Sequence, residues 1–155
     1  MLFTYRFLTF LLFPALIILI HFRKLINKEH KIRYKEKLFK SSFLANRNIS
    51  NKFYWFHASS IGETMSIIPL IKKLNKNNQN LDFLITTVTL SSARLVDKDL
   101  KELENIKHRF FPLDVNHLVK NFLDTWKPNL ICFVDSEIWP NFLLEIKKRN
   151  IPLAL

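Results

Sequence analysis

Apolar positions along this chain change their spacing several times, and each change marks an element. The run FYWFH (53–57) is short, aromatic and apolar, as a buried strand requires. From Ser59 to Asn75 the spacing becomes helical, with Ile67, Leu70, Ile71 and Leu74 on one face, and the polar run NKNNQN (75–80) stops it. LDFLITTV (81–88) predicts a second strand, and the stretch from Ala93 to Asn105 a helix with a weaker stripe of Leu95, Leu100 and Leu103. HRFFPLD (108–114) reads as a third strand ended by Pro112, and residues 115–126 as a helix that turns Val115, Leu118, Val119, Phe122 and Leu123 inward. PNLICFVD (128–135) predicts a fourth strand, and its near-continuous apolar run suits a parallel sheet covered on both faces. A helix from Glu137 to Lys148 follows, and IPLAL (151–155) opens a fifth strand. Strand and helix alternate roughly every 25 residues, the βαβ rhythm of an open, parallel α/β sheet.

The first 22 residues follow neither rhythm. MLFTYRFLTFLLFPALIILIHF is interrupted only by Thr4, Arg6, Thr9 and His21. Its length reaches the roughly 20 residues that cross a bilayer. Pro14 would kink such a helix, which bilayer helices tolerate. No small-residue cleavage site follows, and the charge lies mostly behind the apolar stretch, so the segment is expected to be an uncleaved single-pass anchor rather than a signal peptide. Residues 23–40 carry eight Lys or Arg against two glutamates, a local excess of +6. A basic flank on that side puts the remainder on the cytoplasmic face of the membrane. Tyr34, Leu38 and Phe39 within it suggest an amphipathic stretch on the lipid surface, or else a solvated helical linker. The expected organisation is an anchor (1–22), a basic juxtamembrane segment (23–51) and a Rossmann-like domain (52–155). IPLAL ends that domain without a covering helix, so a fragment of a longer protein is expected.

The net charge of +11 would suit nucleic acid, but more than half of it sits in those 18 residues beside the apolar segment. That placement favours anionic lipid headgroups, and no nucleic-acid partner is expected. The single glycine, Gly62, excludes the glycine-rich phosphate loops of dinucleotide and P-loop folds. The lone cysteine, Cys132, lies in an apolar run and reads as core, and neither a disulfide framework nor a metal-ligand cluster is present in the pattern.

Ligand crevices in open α/β domains lie at the C-terminal ends of the strands, which selects residues 58–64, 87–92, 112–117 and 135–141. Ser60 and Glu63 fit a capping box, yet a carboxylate beside the only glycine also fits a general base approached closely by a ligand. DSEIWPN (135–141) supplies Asp135 and Glu137, one of which could serve a helix N-terminus and one a site, with Trp139 as core or as a flat wall for a sugar or acyl chain. Asp114 reads as the cap of the helix that follows it, and TTVTLSS (86–92) as hydroxyls that could hold an anion. His57 is a base or, more simply, a core histidine, and His108 and His117 lack metal-ligand spacing.

Taken together, the anchor, WFHASSIGE (55–63), PLIKKL (69–74), FPLD (111–114) and DSEIWPN resemble the 3-deoxy-D-manno-octulosonic acid (Kdo) transferases over the whole chain, as roughly the first third of a family member. The resemblance implies a two-domain GT-B glycosyltransferase that transfers Kdo from CMP-Kdo to the lipid A precursor, with inversion and without metal or other cofactor. It implies Glu63 as catalytic base, Glu137 as a further acid, and Ser60, Gly62, Asp135 and Trp139 as acceptor-side support. The donor would be held mainly by an absent C-terminal domain, leaving this chain alone inactive, on the cytoplasmic face of the inner membrane. Two departures stand out: Asp135 replaces a common glutamate, and TVTLSSARL (87–95) lacks the usual glycine. One base suffices chemically, because a departing CMP needs little protonation, unlike the alcohol released in glycoside hydrolysis. Another membrane-associated nucleotide-sugar transferase is the alternative.

Overall fold

The computed structural model describes residues 2–42, 50–78, 80–135 and 138–155. Helix α1 (Leu2–Leu25) is followed by two 3-10 turns (Arg33–Lys37 and Lys40–Ser42), and then by β1 (Lys52–Ala58), α2 (Ile61–Asn77), β2 (Leu81–Thr87) and α3 (Leu90–Leu100). The chain continues through β3 (Ile106–Phe110), α4 (Asn116–Trp126), β4 (Leu130–Phe133), α5 (Pro140–Lys148) and β5 (Leu153–Ala154). The five strands form one sheet in the order β3-β2-β1-β4-β5, and every pairing is parallel.

The two-residue period of a strand decides which helix each side chain meets. Phe53 and Trp55 of β1, Leu84 of β2 and Ile131 and Phe133 of β4 face α4 and α5, where they pack with Phe122, Trp126, Phe142 and Ile146. Phe56, Phe83 and Ile85 point the opposite way, to Ile67, Ile68 and Ile71 of α2 and Val96 and Leu100 of α3. The result is three layers, helix–sheet–helix. Trp55 sits at the centre of the first face, 5.0 Å from Phe122 and 5.5 Å from Phe142 between ring centroids, with its indole N–H donating to Thr86 Oγ1 at 2.9 Å. Cys132 lies half-buried at the margin of the second face, where burial pushes its thiol up, as expected of a core residue.

Several boundaries move for identifiable reasons. α3 begins at Leu90, three residues earlier than its apolar stripe suggested, because the Thr89 side chain accepts from the Ser92 amide and caps it. The hydroxyl run is thus spent on a helix start. β3 begins at Ile106 and ends at Phe110, before the Phe111–Pro112 pair that made the stretch look like strand. Asp114 does not cap the helix beside it; its carboxylate accepts from the amides of Asn141 and Phe142, both at 3.0 Å, and so caps α5 instead.

The basic segment is folded onto the domain. Tyr34 and Leu38, offered by the sequence to a lipid surface, are buried with Ile20, against Ile17 and Leu113. Glu36 accepts from Arg33 (2.9 Å), Arg109 (3.0 Å) and the Phe110 amide (2.9 Å), which covers the open edge of β3. Arg33 also donates to the His108 carbonyl at 2.9 Å. α1 is itself tied down: Tyr5 donates to Asp114 at 2.8 Å, and Arg6 bonds Glu145 at 3.0 Å.

Candidate active site

Strand order reverses between β1 and β4: the chain runs outward from β1 through β2 to β3, then returns to the other side of β1. Such a switch point is where open α/β sheets hold ligands, because the two loops leaving it diverge and open a crevice. His57 pairs with Phe133 in register, and the Val134 amide donates to the His57 carbonyl at 2.9 Å. The chain therefore leaves β1 at Ala58 and β4 at Val134 side by side at this point.

On the β1 side, Ser60 is the N-cap of α2, and its hydroxyl oxygen accepts from the Glu63 amide at 3.2 Å. The Glu63 carboxylate folds back, accepting from the Ser59 amide and from the Ser60 hydroxyl, both at 2.7 Å. This is a reciprocal capping arrangement, and it holds the carboxylate at the mouth of the switch point while leaving it half-buried. Gly62 has an ordinary backbone, and a Cβ there would meet nothing within 4 Å. Neither backbone conformation nor packing against the described residues accounts for glycine, so the open space beside it is available to a ligand.

On the β4 side, Asp135 is exposed with a left-handed backbone (φ 62°), which aspartate tolerates better than most residues. Glu137 lies outside the described residues. Trp139 is the N-cap residue of α5 and packs 5.3 Å from Phe111, with Pro140 opening the helix. The indole N–H of Trp139 is buried and finds no acceptor among the described residues.

A cavity of about 310 Å³ opens between α1 and the strand ends. Leu16, Leu19, Val88, Phe111, Leu113 and Trp139 give it an apolar wall, and Arg23, Glu29 and Lys37 a charged one. Lys37 donates to Glu29 at 2.6 Å and to the Val88 carbonyl at 2.9 Å, while Arg23 reaches the other Glu29 oxygen at 2.8 Å. Two cations thus share one buried carboxylate, a surplus that attracts an anion. Burial pulls the Lys37 ammonium below the ordinary lysine range, opposed by Glu29. These residues were missed in sequence; the signal was the pair of glutamates, seven residues apart, inside an otherwise basic run.

The histidines are structural. His57 is fully buried, stacked 3.8 Å from Phe111, with Nδ1 bonded to Thr86, and burial pushes it down to about 3. His108 bonds Arg33 through Nδ1 and Thr87 through Nε2, and burial, then Arg33 and Arg109, push it down to about 3. His117 sits edge-on to Phe13. No group of three or more potential metal ligands occurs among the described residues.

Residues 30–155 match the family model described as 3-deoxy-D-manno-octulosonic-acid transferase (kdotransferase). The chain is 36% identical over 146 residues to the 3-deoxy-D-manno-octulosonic acid transferase of Rickettsia bellii, covering 94% of this chain and 34% of that protein. It is 34% identical over 151 residues to the probable mitochondrial 3-deoxy-D-manno-octulosonic acid transferase of Arabidopsis thaliana, covering 97% and 33%. The enzyme of that name from Haemophilus influenzae is 28% identical over 101 residues, covering 65% and 23%. The chain spans about a third of the length of the first two.

Proposed function

The chain belongs to the 3-deoxy-D-manno-octulosonic acid transferase family, and from that premise we propose that it forms the acceptor-binding part of an enzyme that transfers Kdo from CMP-Kdo to lipid IVA, the lipid A precursor, in lipopolysaccharide biosynthesis. Glu63 is the general base that takes the proton of the attacking sugar hydroxyl, and the sugar carbon inverts in a direct displacement. Donor binding is assigned to sequence of the kind that makes up the other two thirds of the relatives, in a GT-B arrangement. The observation that supports this reading most is the Ser60–Glu63 cap at the exit of β1, next to the exit of β4 at Val134 and Asp135, at the switch point of the sheet. An acidic group there, beside an unoccupied flank at Gly62, suits an incoming hydroxyl.

The surplus positive charge of Arg23 and Lys37 beside an apolar wall supports an acceptor that is both anionic and lipidic. α1 supplies the attachment to the inner membrane, with the domain on the cytoplasmic face. Glu137, Asp135 and Trp139 are assigned to the acceptor side. The test is reconstitution of the chain, alone and joined to its donor-binding partner sequence, with CMP-Kdo or a UDP-sugar and lipid IVA. Transfer from CMP-Kdo by the joined protein, with none by the chain alone, is expected. Transfer from the UDP-sugar instead would overturn the donor assignment.

A further inference from the structure

α1 is long and apolar enough to cross a membrane, yet its contacts do not suit a crossing. It is held to the domain along nearly its whole length. Near its start Tyr5 donates to Asp114 and Arg6 to Asn141 and Glu145. Midway, the Phe13 ring meets His117 at 5.1 Å, and Ile17 and Ile20 pack on Tyr34 and Leu38. Near its end, Lys24 lies 4.7 Å over the Tyr34 ring and Arg23 bonds Glu29. From Tyr5 to Lys24 the helix rises about 29 Å, close to the roughly 30 Å of a bilayer's hydrocarbon core. A crossing helix would carry its contacts with it. Asp114 and the Glu145 cluster, with Lys148 and Arg149, would then lie at the far side of the hydrocarbon.

The faces of α1 resolve the conflict. Tyr5, Arg6 and His21, its bonded polar side chains, turn toward the domain. The opposite side carries Phe3, Phe7, Phe10, Ile18, Phe22 and Leu25, exposed by 56% to 83%. Their spacing of three, four and seven or eight residues keeps them on one stripe. A helix that is apolar all round is normally covered all round. Here the domain covers one side, and one leaflet is the cover that fits the other. The exposed Lys28, Lys31, Lys35 and Lys40 continue from its end and match anionic headgroups.

We propose that α1 lies in the plane of a single membrane leaflet, strapped along the α/β domain, with its phenylalanine stripe in the acyl layer, and does not cross the bilayer. The single-pass geometry expected from length and composition gives way to a monotopic one. Arg6 then never enters the hydrocarbon core, and the mouth of the cavity beneath α1 faces the lipid interface.

Sidedness decides the matter. In a Cys132→Ser background, a short extension bearing one cysteine is placed before Met1, and a second version carries Ser91→Cys on the exposed part of α3 as a marker of the domain's side. Both are treated with a membrane-impermeant maleimide in right-side-out and inverted inner-membrane vesicles. Labelling of both cysteines in the same vesicle orientation is expected. Labelling of the N-terminal cysteine from the opposite side would overturn the proposal. A second measurement tests the stripe: the purified chain is floated with vesicles of neutral or anionic phospholipid. Phe7→Asp combined with Ile18→Asp should cut the floated fraction at least tenfold and leave the thermal midpoint unchanged. Failure of the unaltered chain to float, with self-association instead, would assign the stripe to protein and refute the inference.

Discussion

The Val134 amide donates to the His57 carbonyl at 2.9 Å, and this bond sets the C-terminal ends of β1 and β4 beside one another. Ala58 and Val134 are separated by the whole α2-β2-α3-β3-α4-β4 excursion, yet they leave adjacent parallel strands at the same level. The helix start that carries Glu63 and the exit of β4 toward Asp135 follow adjacent strands because strand order reverses there.

Glu63 holds a cap and is assigned a proton transfer, and two substitutions separate the roles. Glu63→Gln should keep stability within about 0.5 kcal/mol, because glutamine also serves at this capping position. Turnover in the joined enzyme should fall by roughly 10²–10⁴, the usual contribution of a positioned base. Ser60→Ala should weigh the other way: a loss of about 1 kcal/mol, with a smaller fall in turnover than in Glu63→Gln, because the base stays and the Ser59 amide still positions it. Urea denaturation and single-turnover transfer measure both. Full activity in Glu63→Gln would leave Glu63 as a cap alone.

Much of this was legible in sequence. The alternation of strands and helices, the position of Ser60 as N-cap and the core character of His57 and Cys132 follow from period, spacing and residue type, which are local properties. The attachments of α1 and of residues 23–42 were not legible. Arg6 to Glu145 and Arg33 to His108 are links across 139 and 75 residues, and nothing local specifies them. Asp114 shows the same limit, since its neighbour in sequence is α4 while the amides that reach it belong to α5.

Acid should destabilise the domain through its buried histidines. His57 and His108 are each pushed down to about 3, so the folded state stays unprotonated where an unfolded histidine, near 6.5, takes up a proton. Their contribution is complete above the unfolded value and is lost as pH falls from there toward 3. Each adds a slope of about 1.4 kcal/mol per pH unit within that window. His57→Leu should halve this share of the slope. Urea midpoints in detergent at pH 7.5 and 5.5 test it, and an unchanged slope in the variant would contradict it.

Glu36 should matter more for stability than any other acid of the basic segment. It satisfies Arg33, Arg109 and the Phe110 amide at once, and it is nearly fully buried. Glu36→Ala should cost about 3 kcal/mol, the lower end for breaking a buried pair, because Arg33 and Arg109 keep some access to water. Hydrogen exchange at Phe110 should accelerate along with global unfolding. Protection of that amide in the variant would show that another acceptor replaces Glu36.

Phe111 joins the core to the cavity, and its truncation should disturb both in a definite order. Its ring stacks on His57 at 3.8 Å, meets Phe142 at 4.7 Å and Trp139 at 5.3 Å. Removing it leaves a void beside the sheet, and Phe111→Ala should cost about 3–5 kcal/mol. Phe111→Leu refills part of that volume and should cost clearly less, yet it still removes the flat surface against Trp139. Trp55 also stacks 6.1 Å from Phe111, so the part of any emission change in Phe111→Leu that disappears when Trp139→Phe is added reports Trp139. A red shift in that part, with near-normal stability, is expected, since Trp139 loses its aromatic neighbour while the fold survives. An emission spectrum identical to that of the unaltered chain would mean that Trp139 is held by the α5 cap alone, and that the cavity wall is independent of the core.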